Sequence, residues 1–140
     1  MRSVVDAVKS PVFVNGDIYD GKDALAAIDQ SGAAGVMVGR SLVGRPWDIV
    51  EIRNAVDGTP SKSITATQKA DIAVTHYRDI LAFYPESKGI RFARKHLAGY
   101  CDDAGLGANH PLRVRICQGL DAEDVANALF EAFSQKAEAA

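Results

Sequence analysis

The sequence lacks the features of a membrane or secreted protein. Its apolar runs fall far short of the roughly 20 residues that cross a bilayer, and no basic segment followed by an apolar one precedes the first strand-like run. The composition is that of a soluble globular protein, with 47% hydrophobic and 24% charged residues among 140. These absences favour a cytoplasmic protein that does not enter a membrane.

The sequence also has few cysteines and no large excess of either charge. Cys101 and Cys117 are the two cysteines. Without secretory features, reduced and buried thiols are favoured over a disulfide, and neither cysteine has the neighbours of a metal site. The net charge of −2 comes from 16 basic and 18 acidic residues, so any affinity for a polyanion must come from a local cluster.

Two short apolar runs, at residues 12–14 and 36–38, predict buried parallel strands. Between them, Asp20 is placed to cap a helix and Gly32 to end it. Strand, helix and strand in this order predict a right-handed βα crossover. Pro46 then suits the first turn of a second helix that carries Ile49 and Ile52.

The turns that follow the two strands predict an anion site. The residues concerned are Asn15, Gly16 and Asp17 after the first strand and Gly39 and Arg40 after the second. Neighbouring parallel strands end at the same edge of a sheet, so the N–H groups of both turns converge there, as they do on the phosphate of a (β/α)8 barrel. The glycines allow close backbone approach, and Arg40 offers its guanidinium or its main-chain amide. The alternative is a pair of tight turns without a ligand.

Only the first part of the chain carries this βα pattern, whereas a whole barrel needs roughly 200–250 residues. We therefore interpret residues 1–56 as the last two βα units of a TIM barrel and the chain start as a cut in a longer protein. The two strands would then lack neighbours, which predicts self-association through residues 1–56. Glycine, proline and serine cluster in a linker at 57–63.

Residues 64–140 predict a small helical bundle, which gives an α/β plus all-α chain. Thr65 and Gln68 fit a capping box for a helix that ends at Pro85. Further helices are predicted from about Gly89 to Cys101, after Pro111 and from Asp121.

The helix predicted at 89–101 is basic and amphipathic. Its apolar stripe consists of Ile90, Ala93, Leu97 and Cys101, and its cations are Arg91, Arg94 and Lys95, with Lys88 just before. A solvated cationic face is one interpretation. The other is contact with the phosphates of a polyanion, where each cation displaces counterions. His96 fits a structural hydrogen bond as well as an RNA contact, and packing inside the bundle is favoured for Tyr100 over stacking on a base.

Four segments in one order carry a resemblance to a known family: residues 11–18, 35–40, 44–47 and 91–97. Together they resemble the C-terminal part of a tRNA-dihydrouridine synthase, in particular of the bacterial B-type subgroup, over essentially the whole chain. The resemblance implies a flavoenzyme with FMN at the mouth of a (β/α)8 barrel and NADPH as reductant. Hydride then passes to C6 of a tRNA uridine, and a cysteine protonates C5.

Residue by residue, the resemblance assigns two sites. The FMN-binding turns correspond to Asn15, Gly16, Asp17, Gly39 and Arg40. The stretch that helps to hold tRNA corresponds to Arg91, Arg94, Lys95 and His96.

The sequence also departs from this family. The Asn-x-Gly-Cys-Pro segment with the proton-donating cysteine is absent, and neither Cys101 nor Cys117 matches it. Gly99 stands where relatives often carry a bulky aromatic residue. We therefore expect the chain alone to be inactive. The alternatives are a stand-alone RNA-binding helical module with a barrel remnant, and another FMN barrel of the dehydrogenase type, which would have no reason to carry the basic helix.

Overall fold

The chain divides into two compact units. In the computed structural model, which describes residues 1–138 without the side chains of 86, 87 and 136–138, the first unit combines residues 1–42 with 46–63. The second combines residues 43–45 with the chain from Ile64 onward. Within residues 1–138, no helix is both long enough and apolar enough to cross a membrane.

The first unit holds a two-stranded parallel sheet and three helices. Its elements are α1 (Arg2–Ala7), β1 (Phe13–Asn15), α2 (Gly21–Ser31), β2 (Gly35–Met37), a 3-10 turn (Arg40–Leu42) and α3 (Asp48–Asp57). The parallel pairing is as predicted, and its register places Phe13 opposite Gly35 and Asn15 opposite Met37. The strand at 12–14 starts one residue later than predicted and the strand at 36–38 one residue earlier, because paired backbone rather than apolar sequence sets the bounds.

Local caps fix α2 as predicted. The Asp20 carboxylate accepts hydrogen bonds from the backbone N–H groups of Lys22 and Asp23 at 2.8 and 2.9 Å. Gly32 ends the helix with a φ of 71°. The helix expected to begin at Pro46 instead begins at Asp48, since Trp47 occupies the N-cap position.

The helices cover one face of the sheet. Ile18, Ala24 and Ile52 form the core of the first unit, and Val36 and Val38 pack against it. Side chains alternate across a strand, so Phe13 and Met37 point to the opposite face. They are 61% and 51% exposed. The sheet is therefore apolar but uncovered on that face among the described residues.

The second unit is helical. Its helices are α4 (Ala66–Phe83), α5 (Glu86–Asp103), α6 (Pro111–Gln118) and α7 (Ala122–Glu138). The capping box of Thr65 and Gln68 is confirmed. The helix predicted to end at Pro85 already ends at Phe83, and the helix predicted from Gly89 starts earlier, at Glu86, because Pro85 serves as the N-cap of α5.

Large side chains from all four helices fill the core of this unit. The fully buried ones are Tyr77, Tyr100, Cys101, Ile116, Val125, Leu129 and Phe133. The burial of Tyr100 confirms its predicted packing inside the helices. Both cysteines are free thiols, with Cys101 buried and Cys117 half-buried.

Two glycines of the second unit meet in a close backbone contact. Gly44 has a φ of +80°, and a Cβ built on it would collide with the backbone of Gly99 in α5. A Cβ on Gly99 would lie 2.8 Å from the Cα of Gly44 and 2.9 Å from the carbonyl oxygen of Val43. No side chain fits at either position, which explains the small residue at 99.

Gly99→Ala should therefore destabilise the protein by about 1–3 kcal/mol, since the added methyl forces two backbone segments apart. Thermal unfolding followed by circular dichroism measures the effect. Gly107→Ala is the matched control, because no atom lies within 4 Å of a Cβ at that position. Equal melting temperatures for the two variants would show that the contact has room for a methyl group.

Candidate functional site

A pocket of about 80 Å³ lies at the edge of the sheet where β1 and β2 end. Its lining consists of Asn15, Gly16, Asp17, Ile18, Tyr19, Gly39, Arg40 and Ser41. The pocket thus brings together all five residues from which the sequence predicts a phosphate site. Its volume suits a group of several non-hydrogen atoms, such as a phosphate.

Hydrogen bonds hold the two turns of this pocket together. The hydroxyl of Ser41 donates to the carbonyl oxygen of Ile18 at 2.6 Å and so joins the turn after β2 to the turn after β1. The N–H of Tyr19 donates to Asp23 Oδ2 at 2.9 Å. Sequence reasoning missed Ser41, because its partner lies 23 residues away and no local pattern indicates it.

Gly16 and Gly39 leave space that the protein itself does not fill. Neither has a positive φ, and no atom lies within 4 Å of a Cβ built on either glycine. Among the hydrogen bonds of turns and loops in residues 1–138, none is donated by the backbone N–H groups of Gly16, Asp17 or Gly39. Open space beside backbone N–H groups suits an anion such as phosphate.

Arg40 and Asp17 carry the charged side chains of the pocket. The guanidinium Nη2 of Arg40 lies 3.5 Å from Asp17 Oδ1, and the two side chains are 95% and 77% exposed. Such an exposed pair contributes little to stability, so the guanidinium is available to a phosphate. The carboxylate of Asp17 repels an anion, which leaves its backbone N–H as the group that suits this ligand.

A second candidate surface is the cationic face of α5, formed by Lys88, Arg91, Arg94 and Lys95. All four side chains are exposed. None of them forms an ion pair with a carboxylate side chain that the structure describes. The opposite side of α5 buries Ala93, Leu97 and Cys101, as the apolar stripe predicts, while Ile90 is half-buried.

His96 lies between this face and the helix interior. Its ring packs edge-on against His76 of α4 with centroids 4.7 Å apart, and His76 Nδ1 is 2.7 Å from the hydroxyl of Tyr100. Burial lowers the pKa of both histidines, and His76 and Lys95 lower the pKa of His96 further. The ring contact favours the structural interpretation of His96 over direct RNA contact.

The sequence profile of dihydrouridine synthases matches residues 1–138. The chain belongs to the dihydrouridine synthase family. A probable tRNA-dihydrouridine synthase of Rhodobacter capsulatus is 40% identical over 137 residues, which are 97% of this chain and 41% of that relative.

Two other relatives with the same description match shorter stretches. The Mycobacterium tuberculosis protein is 44% identical over 104 residues, or 74% of this chain and 26% of its own length. The Rickettsia conorii protein is 43% identical over 101 residues, or 71% of this chain and 30% of its own. The chain therefore spans about two fifths or less of these dihydrouridine synthase relatives.

Titration with inorganic phosphate should shift the backbone amide resonances of Gly16, Asp17, Gly39 and Arg40, because an anion in the pocket meets their N–H groups. Gly39→Ala should remove these shifts. Its melting temperature should stay within about 2 °C of the parent, since the methyl meets no protein atom.

Two-dimensional NMR on labelled protein measures both effects, and Gly107→Ala serves as the control that keeps the shifts. Amide shifts scattered over other residues, or unchanged amide shifts in Gly39→Ala, would show that the pocket is not the anion site.

Proposed function

We propose that this chain forms part of an enzyme that reduces uridine to 5,6-dihydrouridine in tRNA, with FMN as flavin cofactor and NADPH as reductant. The observation that carries the proposal is the phosphate-sized pocket at the β1–β2 edge in a chain of this family. We also propose a cytoplasmic location, because the tRNA that such an enzyme modifies is found there.

The five residues of the predicted phosphate site hold the FMN phosphate in this proposal. The N–H groups of Gly16, Asp17 and Gly39 donate to its oxygens, Asn15 offers a side-chain amide, and Arg40 supplies positive charge. FMN, when bound, supplies the hydride for the uracil ring. The chain's own contribution is to anchor the cofactor at its phosphate end and thereby orient it.

We propose that the proton donor is not part of this chain, because neither Cys101 nor Cys117 stands in an Asn-x-Gly-Cys-Pro segment. Cys101 is also fully buried, and burial raises the pKa of its thiol, as does the neighbouring Cys117. We assign residues 1–56 to the end of an FMN-binding barrel, 57–63 to a linker and 64–140 to a tRNA-binding helical domain.

The 140-residue chain should accordingly oxidise no NADPH and reduce no uridine when it is mixed with FMN and undermodified tRNA. A phosphate anchor alone does not align a flavin ring with its substrate. Stopped-flow absorbance at the NADPH band measures the rate against a protein-free blank. Turnover above that blank would place a complete active site within these residues.

The helical domain binds tRNA in this proposal through Arg91, Arg94 and Lys95. These cations are exposed and unpaired within the part of the chain that the structure describes, so RNA phosphates replace water and counterions rather than carboxylates. A stand-alone RNA-binding module is the second candidate function, because the second unit has its own buried core.

Replacing Arg91, Arg94 and Lys95 together by Ala should flatten the slope of log affinity for tRNA against log salt by about two to three units, since each phosphate contact contributes roughly 0.7–0.9. Fluorescence anisotropy with labelled tRNA gives the slope. Replacing Lys9, Lys22 and Lys62 by Ala removes the same charge elsewhere and should leave the slope unchanged. Equal slopes for both triple variants would assign the α5 face to solvent alone.

Self-association is the remaining part of the proposal. Phe13 and Met37 expose an apolar sheet face, and a second copy of the chain would cover it. Light scattering at micromolar concentration should show a species larger than the monomer. Replacing Phe13 and Met37 by Asn should restore the monomer, whereas Leu120→Asn, at a residue 71% exposed in the second unit, should not. A monodisperse parent monomer would contradict this assignment.

A further inference from the structure

Three aromatic rings lie in contact at the junction between α4 and α5. They belong to Phe83, Tyr84 and Phe92, and we call them the aromatic platform. The rings of Tyr84 and Phe92 are stacked, with centroids 4.7 Å apart and planes 15° from parallel. Phe83 meets Tyr84 edge-on at 4.9 Å. All three belong to the second unit, so the platform is a local feature of the helical domain.

Two rings of the platform are more exposed to solvent than rings that pack in a core. Phe83 is 79% exposed and Phe92 45% exposed. Single exposed apolar residues are ordinary on protein surfaces, but a contiguous group of rings marks a surface for a partner. Removing the ring of Phe83 costs little core packing, because most of that ring is already in water.

Three cations of α5 lie close to Phe92 along the helix. On α5, Lys88 lies one turn before Phe92, Arg91 is adjacent and Lys95 follows three residues later. The segment from residue 88 to residue 101 contains no acidic residue. These three cations form no ion pair with any carboxylate side chain that the structure describes. A partner for this surface must therefore combine negative charge with flat apolar faces.

We propose that the aromatic platform stacks an unpaired base of RNA while Lys88, Arg91 and Lys95 contact the phosphates on either side. Rings flanked by cations are the means by which proteins hold single-stranded nucleic acid. A base in a duplex has both faces covered by its neighbours, so an exposed ring takes an unstacked base from a loop or an end. The inference rests on the proposed tRNA binding and specifies the kind of nucleotide bound; an apolar protein partner is the competing occupant.

Phe83→Trp tests the stacking step directly. The natural Trp47 is 5% exposed, so the parent protein supplies the background emission and the difference reports on position 83. A short single-stranded oligouridine should quench the new indole, and an RNA duplex of equal length should not. An unchanged signal with oligouridine, or equal quenching by the duplex, overturns base stacking at the platform.

Phe83→Leu keeps an apolar side chain but removes the ring. It should weaken tRNA binding about tenfold with an unchanged salt slope, since stacking is lost and no phosphate contact is. Phe130→Leu on α7, at a residue 44% exposed, is the matched control and should bind like the parent.

The outcomes separate the two levels of the proposal. If Phe83→Leu binds tRNA like the parent while the triple Ala variant of Arg91, Arg94 and Lys95 still lowers the salt slope, base stacking on the platform is rejected. RNA binding by the cationic face is then retained. Absence of any tRNA binding by the parent chain rejects both. Equal losses in Phe83→Leu and Phe130→Leu also reject the platform, because the effect would not be specific to its rings.

Discussion

The parallel pairing of β1 with β2 is the constraint on which the first unit and its pocket depend. Three residue pairs join the strands, and the last of them, Asn15 with Met37, brings both chain segments to the same edge. Both turns then emerge side by side, and the bond from Ser41 to Ile18 fixes their separation. The hydrogen bonds of a parallel sheet therefore create the pocket, while the residues of the turns determine what the pocket accepts.

In the second unit, the helical spacing of residues along α5 places apolar side chains in the core and cations on the candidate RNA surface. The spacing that buries Ala93, Leu97 and Cys101 turns Arg91 and Arg94 outward. The same helix brings Gly99 onto Gly44 and His96 onto His76. Because α5 is held on several sides, its cations are presented from a rigid element rather than a loop. This rigidity suits a surface that must orient a large nucleic acid.

The features that sequence predicted correctly are those that depend on neighbouring residues. Asp20, the Thr65–Gln68 capping box and Gly32 act within four residues of their partners, so the local pattern contains all the information. The meeting of the two turns at one pocket was predicted because parallel strands share an edge, which requires only the order of elements. Anion binding by these turns stays a prediction.

Features that join distant residues were not predictable in this way. Nothing near Ser41 indicates Ile18, and nothing near Gly99 indicates a backbone contact with Gly44. The aromatic platform joins Tyr84 and Phe92 across a helix boundary that the sequence placed too late, at Gly89 instead of Glu86. Each of these contacts depends on how two elements pack, which a single sequence does not record.

We propose that the α4–α5 junction and the cationic face of α5 bind tRNA in this member of the dihydrouridine synthase family. Photo-cross-linking to tRNA that carries 4-thiouridine in its loops, followed by mass spectrometry of the linked peptides, tests it most directly. We expect cross-links within residues 79–95. Cross-links confined to α6, α7 or the first unit would contradict it.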